Sequence, residues 1–263
     1  MIKKIFSRGY ICLILAFIYI PIFILVLYSF TDTKMIGQWH GFSFALYKDL
    51  FQDAKIMEAV KNTMILAFSS SIISTILGTM GAFGIFYAKK RTSKLLKSMN
   101  QIPVVNAEIV TAVSLALIFT LMFGGRSWGA LICGHVLICT PFVVLSVLPK
   151  LMQMDPSLYE AALDLGASPF KALFKVVLPE ILPGILAGFL LSITLSLDDY
   201  IVTAFTKPST INTISTYVYG AVKNGRNSSM PALRALSAII FLIIVLAVIL
   251  MNSLKKKNKG GNK

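Results

Sequence analysis

The sequence predicts an all-α, polytopic membrane protein with six transmembrane helices, and three observations carry that expectation. Hydrophobic residues make up 56% of the 263 and charged residues only 14%, with a mean hydropathy of +0.79; a soluble chain carries about a quarter charged residues. The charges that do occur are gathered into short segments with long uncharged runs between them. Those runs have the length a spanning helix requires, roughly 20 residues at 1.5 Å each across about 30 Å of hydrocarbon.

No charge falls between Arg8 and Asp32, Lys61 and Lys89, Arg126 and Lys150, or Arg234 and Lys255. The run from Lys97 to Arg126 is interrupted only by Glu108, and the run from Glu180 to Lys207 only by Asp198 and Asp199. The expected spans lie near 10–30, 63–88, 102–124, 129–149, 181–206 and 232–253. The first follows Lys3, Lys4 and Arg8 as a cleaved signal would. Its apolar run is longer than such a segment needs, however, and no A-x-A-like site follows Phe30, so it reads as a retained helix. A water-soluble core would have to hide all six runs, which excludes an ordinary globular domain.

Short elements connect the spans. Phe42, Leu46, Tyr47 and Leu50, set among Lys48, Asp49 and Asp53, predict a short amphipathic helix lying on the outer surface. Trp39, Phe42 and Tyr47 suit the headgroup level there. Gly124-Gly125-Arg126-Ser127-Trp128 forms a tight hairpin between spans three and four. The inner segment from Lys150 to Pro183 is the longest cytoplasmic connection and is rich in helix punctuation. Asp155-Pro156 reads as an N-cap with Pro at the first helical position, and Gly166 as the glycine that ends that helix. Ser168-Pro169 opens a second helix with an apolar stripe of Phe170, Leu173, Phe174 and Val177, and Pro179 marks a bend. A solvated linker would not keep such stripes, so another surface must cover them.

Charge sets the orientation, because Lys and Arg accumulate on the cytoplasmic side. With the N-terminus inside, the inner segments hold 16 of the 25 basic residues and the outer ones 9, so both termini are expected in the cytoplasm. The Lys-rich run at 255–259 sits just inside the last span, where anionic membrane lipid is its natural partner and nucleic acid is not. Cys12, Cys133 and Cys139 fall inside spans without metal-type spacing and read as small packing residues. There is no G-x-x-x-x-G-K-[ST] motif, so any ATP and Mg belong to a separate ATPase and no cofactor is expected in this chain. Neither His40 nor His135 completes a catalytic set. His135, in span four, reads as a hydrogen-bonded interior residue rather than a metal ligand, and the chain as a transport subunit, not an enzyme.

Glu160-Ala161-Ala162, Gly166 and, nine residues on, Val176-Val177-Leu178-Pro179 resemble the EAA signature of ABC importer permeases, in an inner loop 97 residues before the C-terminus (263 minus 166). The usual pattern has Ile where this chain has Val176. The resemblance implies a type I importer permease fold, with one membrane domain over 1–263 and a cytoplasmic coupling helix in the loop 150–180. It also implies that Glu160, Ala161, Ala162 and Gly166 contact or shape the contact with the ATPase: Gly166 for the turn, the alanines for close approach, Glu160 for a polar contact. Ser196-Leu197-Asp198-Asp199-Tyr200-Ile201-Val202, with Tyr19-Ile20-Pro21 and Tyr28-Ser29-Phe30 near the start, resembles the polyamine branch, which carries spermidine and putrescine. Ala107 stands where relatives often have Pro. The partners implied are a second permease subunit, a dimer of ATP-binding subunits and an extracellular polyamine-binding protein.

Acids inside spans are costly, at least about 2.5 kcal/mol each on insertion scales, and usually face a cavity or a partner. Asp198 lies roughly 24 Å beyond Leu182 along the fifth helix. Adjacent residues on a helix diverge by about 100°, so Asp198 and Asp199 share one pathway only if it is wide or the helix is locally broken. Two carboxylates at low dielectric attract a polycation, and Tyr200 adds a cation–π face, while packing suits Phe205. No basic residue of span five is available to the acids, so the substrate or a sister subunit must supply the positive charge. Glu108, near the inner end of span three, fits a pathway or a structural role equally. The competing expectations are an importer of iron, thiamine or a phosphonate, or an ion-gradient carrier using the same acids. A gradient carrier has no ATPase for the loop to dock against.

Overall fold

The computed structural model describes residues 2–33, 39–224, 231–243 and 245–246, and among them every regular element is a helix. These are α1 (Ile2–Ser29), α2 (Ala45–Gln52), α3 (Ala54–Tyr87), α4 (Lys90–Val105), α5 (Glu108–Phe123) and α6 (Trp128–Gln153). They continue with α7 (Ser157–Asp164), α8 (Pro169–Ala172), a π-turn at Leu173–Val177, α9 (Leu178–Asp198), α10 (Ile201–Thr206), α11 (Ile214–Asn224) and α12 (Pro231–Ile243). Four described stretches are long and apolar enough to cross a membrane: Gly9–Ser29, Ala54–Tyr87, Trp128–Gln153 and Pro169–Asp198. The bent pair α4–α5 makes a fifth if counted as one span. The sixth expected span starts as α12; apart from residues 245–246 its remainder lies outside the described residues, as does the Lys-rich tail.

Four expectations change. The helix of the second span begins at Ala54, not near 63. The third expected span, 102–124, is not one helix: α4 and α5 meet at 101° across Asn106 and Ala107. Pro103 removes a backbone donor from the last turn of α4, and α5 restarts with Glu108 in its first turn, where an acid suits the helix dipole. The fifth span, 181–206, is broken at Asp199-Tyr200. The bend expected at Pro179 is replaced by the π-turn just ahead of it. Leu178 N–H bonds the carbonyl of Leu173, five residues back, and this wide turn absorbs the bond that Pro179 cannot make.

The helices fall into two compact units, Glu58–Tyr217 and Met1–Met57 with Val218–Lys263. In the first, α6 and α9 lie side by side. A methyl group at Gly184 would come within 2.7 Å of the Lys150 side chain, and one at Gly188 within 3.2 Å of the Val143 Cα. Two small residues four apart therefore let the backbones approach, as helices in lipid require for close packing. Around this contact Val143, Val144, Val147 and Leu151 of α6 pack with Ala82 and Ile85 of α3 and with Val177 and Ile181. A second core joins Ala112, Leu115 and Phe119 of α5 to Ala130 and Val202, with Phe205 packed against it as expected.

In the other unit, the apolar stretch of α1 is left unburied by the chain at a mean hydropathy of 2.9, as suits a helix surrounded by lipid. α2 is the short amphipathic helix anticipated, with Leu46 and Leu50 buried. Phe42 precedes it and stacks on Phe30 at 5.2 Å between ring centroids, joined by Phe44. Tyr47 fixes the loop to the end of α1 through a 2.8 Å bond between its hydroxyl and that of Ser29.

Candidate functional site: an acidic cavity between two broken spans

A helix in hydrocarbon must satisfy its own backbone, and irregular backbone is tolerated at that depth only against protein or a cavity. Both breaks in the apolar helices obey this rule at one place. Asn106 and Ala107 run extended at ψ 145° and 129° ahead of α5, and Asp199 at ψ 124° ahead of α10. Asn106 and Asp199 border one cavity of about 570 Å³. Asn106, Glu108 and Thr111 line it from the first break, and Asp198, Asp199 and Tyr200 from the second. Glu108 therefore stands at a bend rather than at the inner end of a straight span, and it shares its surroundings with the acid pair.

The two adjacent aspartates do different things. Asp198 is exposed, and neither it nor Glu108 has a hydrogen-bond or ion-pair partner among the described residues. Asp199 borders the cavity, but its side chain is only 7% exposed. Its carboxylate caps α10, accepting from Val202 N–H at 3.3 Å, Thr203 N–H at 2.7 Å and the Thr203 hydroxyl at 2.8 Å. The expectation that a substrate or sister subunit must supply the positive charge thus fails for Asp199: the start of α10 supplies the donors. Lys207, the first cation after the pair, binds the Ile211 carbonyl at 2.5 Å and the Asn212 side chain instead.

Behind Asp199 runs a buried polar chain. His135 Nδ1 lies 2.8 Å from Ser196 Oγ, and Nε2 lies 2.9 Å from Thr203 Oγ1 and 3.5 Å from Asp199 Oδ2. Ser70 of α3 reaches Ser196 at 3.1 Å. His135 is a hydrogen-bonded interior residue, as read from sequence. Thr203 was not singled out there, although its spacing four residues after Asp199 places the two on one helix face.

The inner segment is built as its punctuation indicates. Ser157 N–H bonds Asp155 Oδ1 at 2.9 Å, and the bonds from Ser157 hold the Asp155 carboxyl below its ordinary value, so the cap stays charged. α7 ends in a Schellman arrangement: Gly166 N–H reaches the Leu163 carbonyl at 2.9 Å and Ala167 N–H the Ala162 carbonyl at 3.0 Å. Gly166 has φ +84°, and a Cβ there would touch nothing, so backbone conformation rather than space selects glycine. Ser168 caps the next helix. Glu160 and Ala161 are exposed, and Ala162 is buried within the chain. Val177 is buried and Leu173 packs against the core, but Leu165, Phe170 and Phe174 remain 89%, 76% and 59% exposed.

Apolar helices that break around an acidic cavity, with an apolar patch exposed on a connecting segment, fit a polytopic membrane transport protein. The chain belongs to the family of binding-protein-dependent transport system inner membrane components, whose model matches residues 1–259. Such a chain is a multi-pass transport subunit of the inner membrane rather than an enzyme. It is 31% identical over 262 residues to the spermidine/putrescine transport system permease protein PotC of Escherichia coli K12, covering 100% of this chain and 99% of that one. It is 34% identical over 227 residues to the putrescine transport system permease protein PotI of the same organism, covering 84% and 81%. Among solved structures, a bacterial ABC transporter importing the polysaccharide alginate matches with a TM-score of 0.72 at 18% identity, over 97% of this chain and 95% of that one. The inward-facing MetNI methionine ABC transporter matches at 0.62 and 18%, over 76% and 94%. At these identities the two structures speak for the fold alone.

Proposed function

We propose that this chain lines half of an alternating-access pathway through which an ATP-driven importer moves spermidine or putrescine into the cell. The observation that carries the reading is the cavity between the broken spans, where the carboxylates of Glu108 and Asp198 stand without partners. A flexible polycation supplies the missing charge, and the low-dielectric walls strengthen the attraction. Tyr200 offers a ring face to an alkylammonium group. The full-length similarity to polyamine permeases supports the same substrate class.

The remaining parts of the machine follow from the inner segment. Leu165, Phe170 and Phe174, beside Glu160, Ala161 and the Gly166 turn, suit docking onto an ATP-binding subunit that holds ATP and Mg. The partners in this reading are a second permease, a dimer of ATP-binding subunits and an extracellular polyamine-binding protein, counterparts of PotB, PotA and PotD. Both termini lie in the cytoplasm.

Uptake of labelled putrescine and spermidine by the reconstituted complex tests the reading. Asp198→Asn keeps the shape but removes the charge, and is expected to lower polyamine transport about tenfold or more, the size of one lost interaction with a charged group. Wild-type transport by both Asp198→Asn and Glu108→Gln overturns the assignment of the cavity.

A further inference from the structure

Apart from the cap that Asp199 makes, nothing in the local sequence breaks the fifth span. Residues 189–207 contain neither Gly nor Pro, and helix breaks in apolar segments usually need one of these or an inserted polar group. Asp199 favours a cap, but an N-cap residue tolerates a helix interior at modest cost. A tertiary contact must therefore hold the break, and one side chain touches both halves.

We propose that His135 is a positioning residue of the pathway: its imidazole bridges α9 and α10 and so sets the break that presents Asp198 to the cavity. The proposal rests on reading the cavity as the pathway. Nδ1 meets Ser196 in the last turn of α9 at 2.8 Å, and Nε2 meets Thr203 in the first turn of α10 at 2.9 Å. The bond directions follow from the partners. The Asp199 carboxylate only accepts, so the Thr203 hydroxyl donates to it at 2.8 Å. With a neutral imidazole, Thr203 Oγ1 then accepts from Nε2–H, and Nδ1 accepts from the Ser196 hydroxyl. A rigid five-membered ring with one donor and one acceptor fixes the separation of the two half-helices, and no flexible side chain would do so.

Three further observations agree. The residue before the bridge is Gly134, where a Cβ would lie 2.9 Å from Val202 Cγ1 and 3.5 Å from Thr206, so α10 sits close enough to be bridged only over glycine. The carbonyl of Asp199, freed by the break, accepts from Ser215 at 2.7 Å, so the extended backbone is satisfied. His135 is fully buried and does not line the cavity, which leaves it no direct contact with a solute.

The test uses the complete transporter in proteoliposomes, with Cys12, Cys133 and Cys139 replaced by alanine and a reporter Ile201→Cys at the cavity-lining start of α10. His135→Phe keeps the ring shape but removes both bonds; Thr203→Val removes one partner, and Thr203→Ser restores its hydroxyl. At unchanged complex yield, His135→Phe and Thr203→Val are each expected to slow transport about tenfold, the size of a lost bond in a charge-linked network. The double variant should be no slower than the worse single one, because both act through the same bridge. The thiol at 201 should react at a rate shifted about threefold or more by either variant, while a thiol at Leu117→Cys keeps its rate. Thr203→Ser should recover both readouts. Labelling at 201 that is unchanged in both variants, or additive losses in transport, overturns the proposal. If His135→Phe does not assemble, Ser196→Ala decides: it removes the Nδ1 partner without touching the bonds to Asp199, and the same transport loss and labelling shift are expected of it. The labelling needs no substrate, so a transporter that ignores polyamines but shows shifted labelling retains the bridge and loses only the substrate assignment.

Discussion

Two neighbouring carboxylates, identical in chemistry, differ here only in what their backbone lets them reach. Asp198 ends α9 and faces the cavity, whereas Asp199, one residue on, turns inward and accepts three bonds from α10 and Thr203. Their substitutions should therefore separate. Asp199→Ala removes a cap and leaves two backbone N–H groups bare, costing about 1–3 kcal/mol of stability. It should lower the thermal midpoint of the purified complex. Asp198→Asn breaks no internal bond, so its stability should stay within about 0.5 kcal/mol of wild type while transport falls. A destabilised Asp198→Asn would show that its carboxylate has a structural partner after all.

The segment from Asp155 to Val177 shows how much an element owes to its punctuation. Asp155, Ser168 and the Gly166 turn set two short helices at an angle, which leaves Leu165, Phe170 and Phe174 outward while Leu173 and Val177 join the core. At φ +84°, Gly166 occupies a left-handed conformation that costs most L-residues about 1–2 kcal/mol and aspartate less. Gly166→Asp adds that strain together with a charge at the turn, and is expected to cut uptake sharply while the subunit still reaches the membrane. ATPase activity no longer stimulated by the loaded binding protein would place the defect in coupling. Full uptake by this variant would remove the docking role from the segment.

At the scale of the molecule, long apolar helices leave large hydrophobic side chains exposed, as helices in a bilayer do. Tyr10, Phe17, Ile18 and Phe23 of α1 and Leu117, Leu121 and Met122 of α5 are all exposed. The charge asymmetry lies mostly in the segments that flank the apolar runs, where 16 of the 25 basic residues fall on the side expected to face the cytoplasm. Reporter fusions after Lys94 and Lys257 should be cytoplasmic, and one after Asp53 external. A C-terminal reporter found outside the membrane would reverse every assignment of inner and outer segment, including the docking face.

What the sequence determined by itself was whatever depends on composition and local geometry. The uncharged runs indicated where the apolar helices lie, since bilayer thickness sets the length of a span, but not where those helices begin or break. The caps at Asp155 and Ser168 and the turn at Gly166 were legible because each forms within a few residues. Glu108, Asp198 and Asp199 could be singled out because a charge among apolar residues demands an explanation. Only the tertiary structure decided that Glu108 and Asp198 share a cavity, since the two stand 90 positions apart (198 minus 108) in the chain and meet through the packing of α5 against α10. It alone revealed the break in the fifth span, because residues 189–207 hold no Gly or Pro and the side chain that contacts both sides of the break, His135, comes from another helix. Likewise, the division between a cavity-facing and a capping aspartate rests on the direction of the backbone at that break. Local propensity reaches only a turn or two along the chain, whereas that direction is set by side chains brought in from far away in sequence.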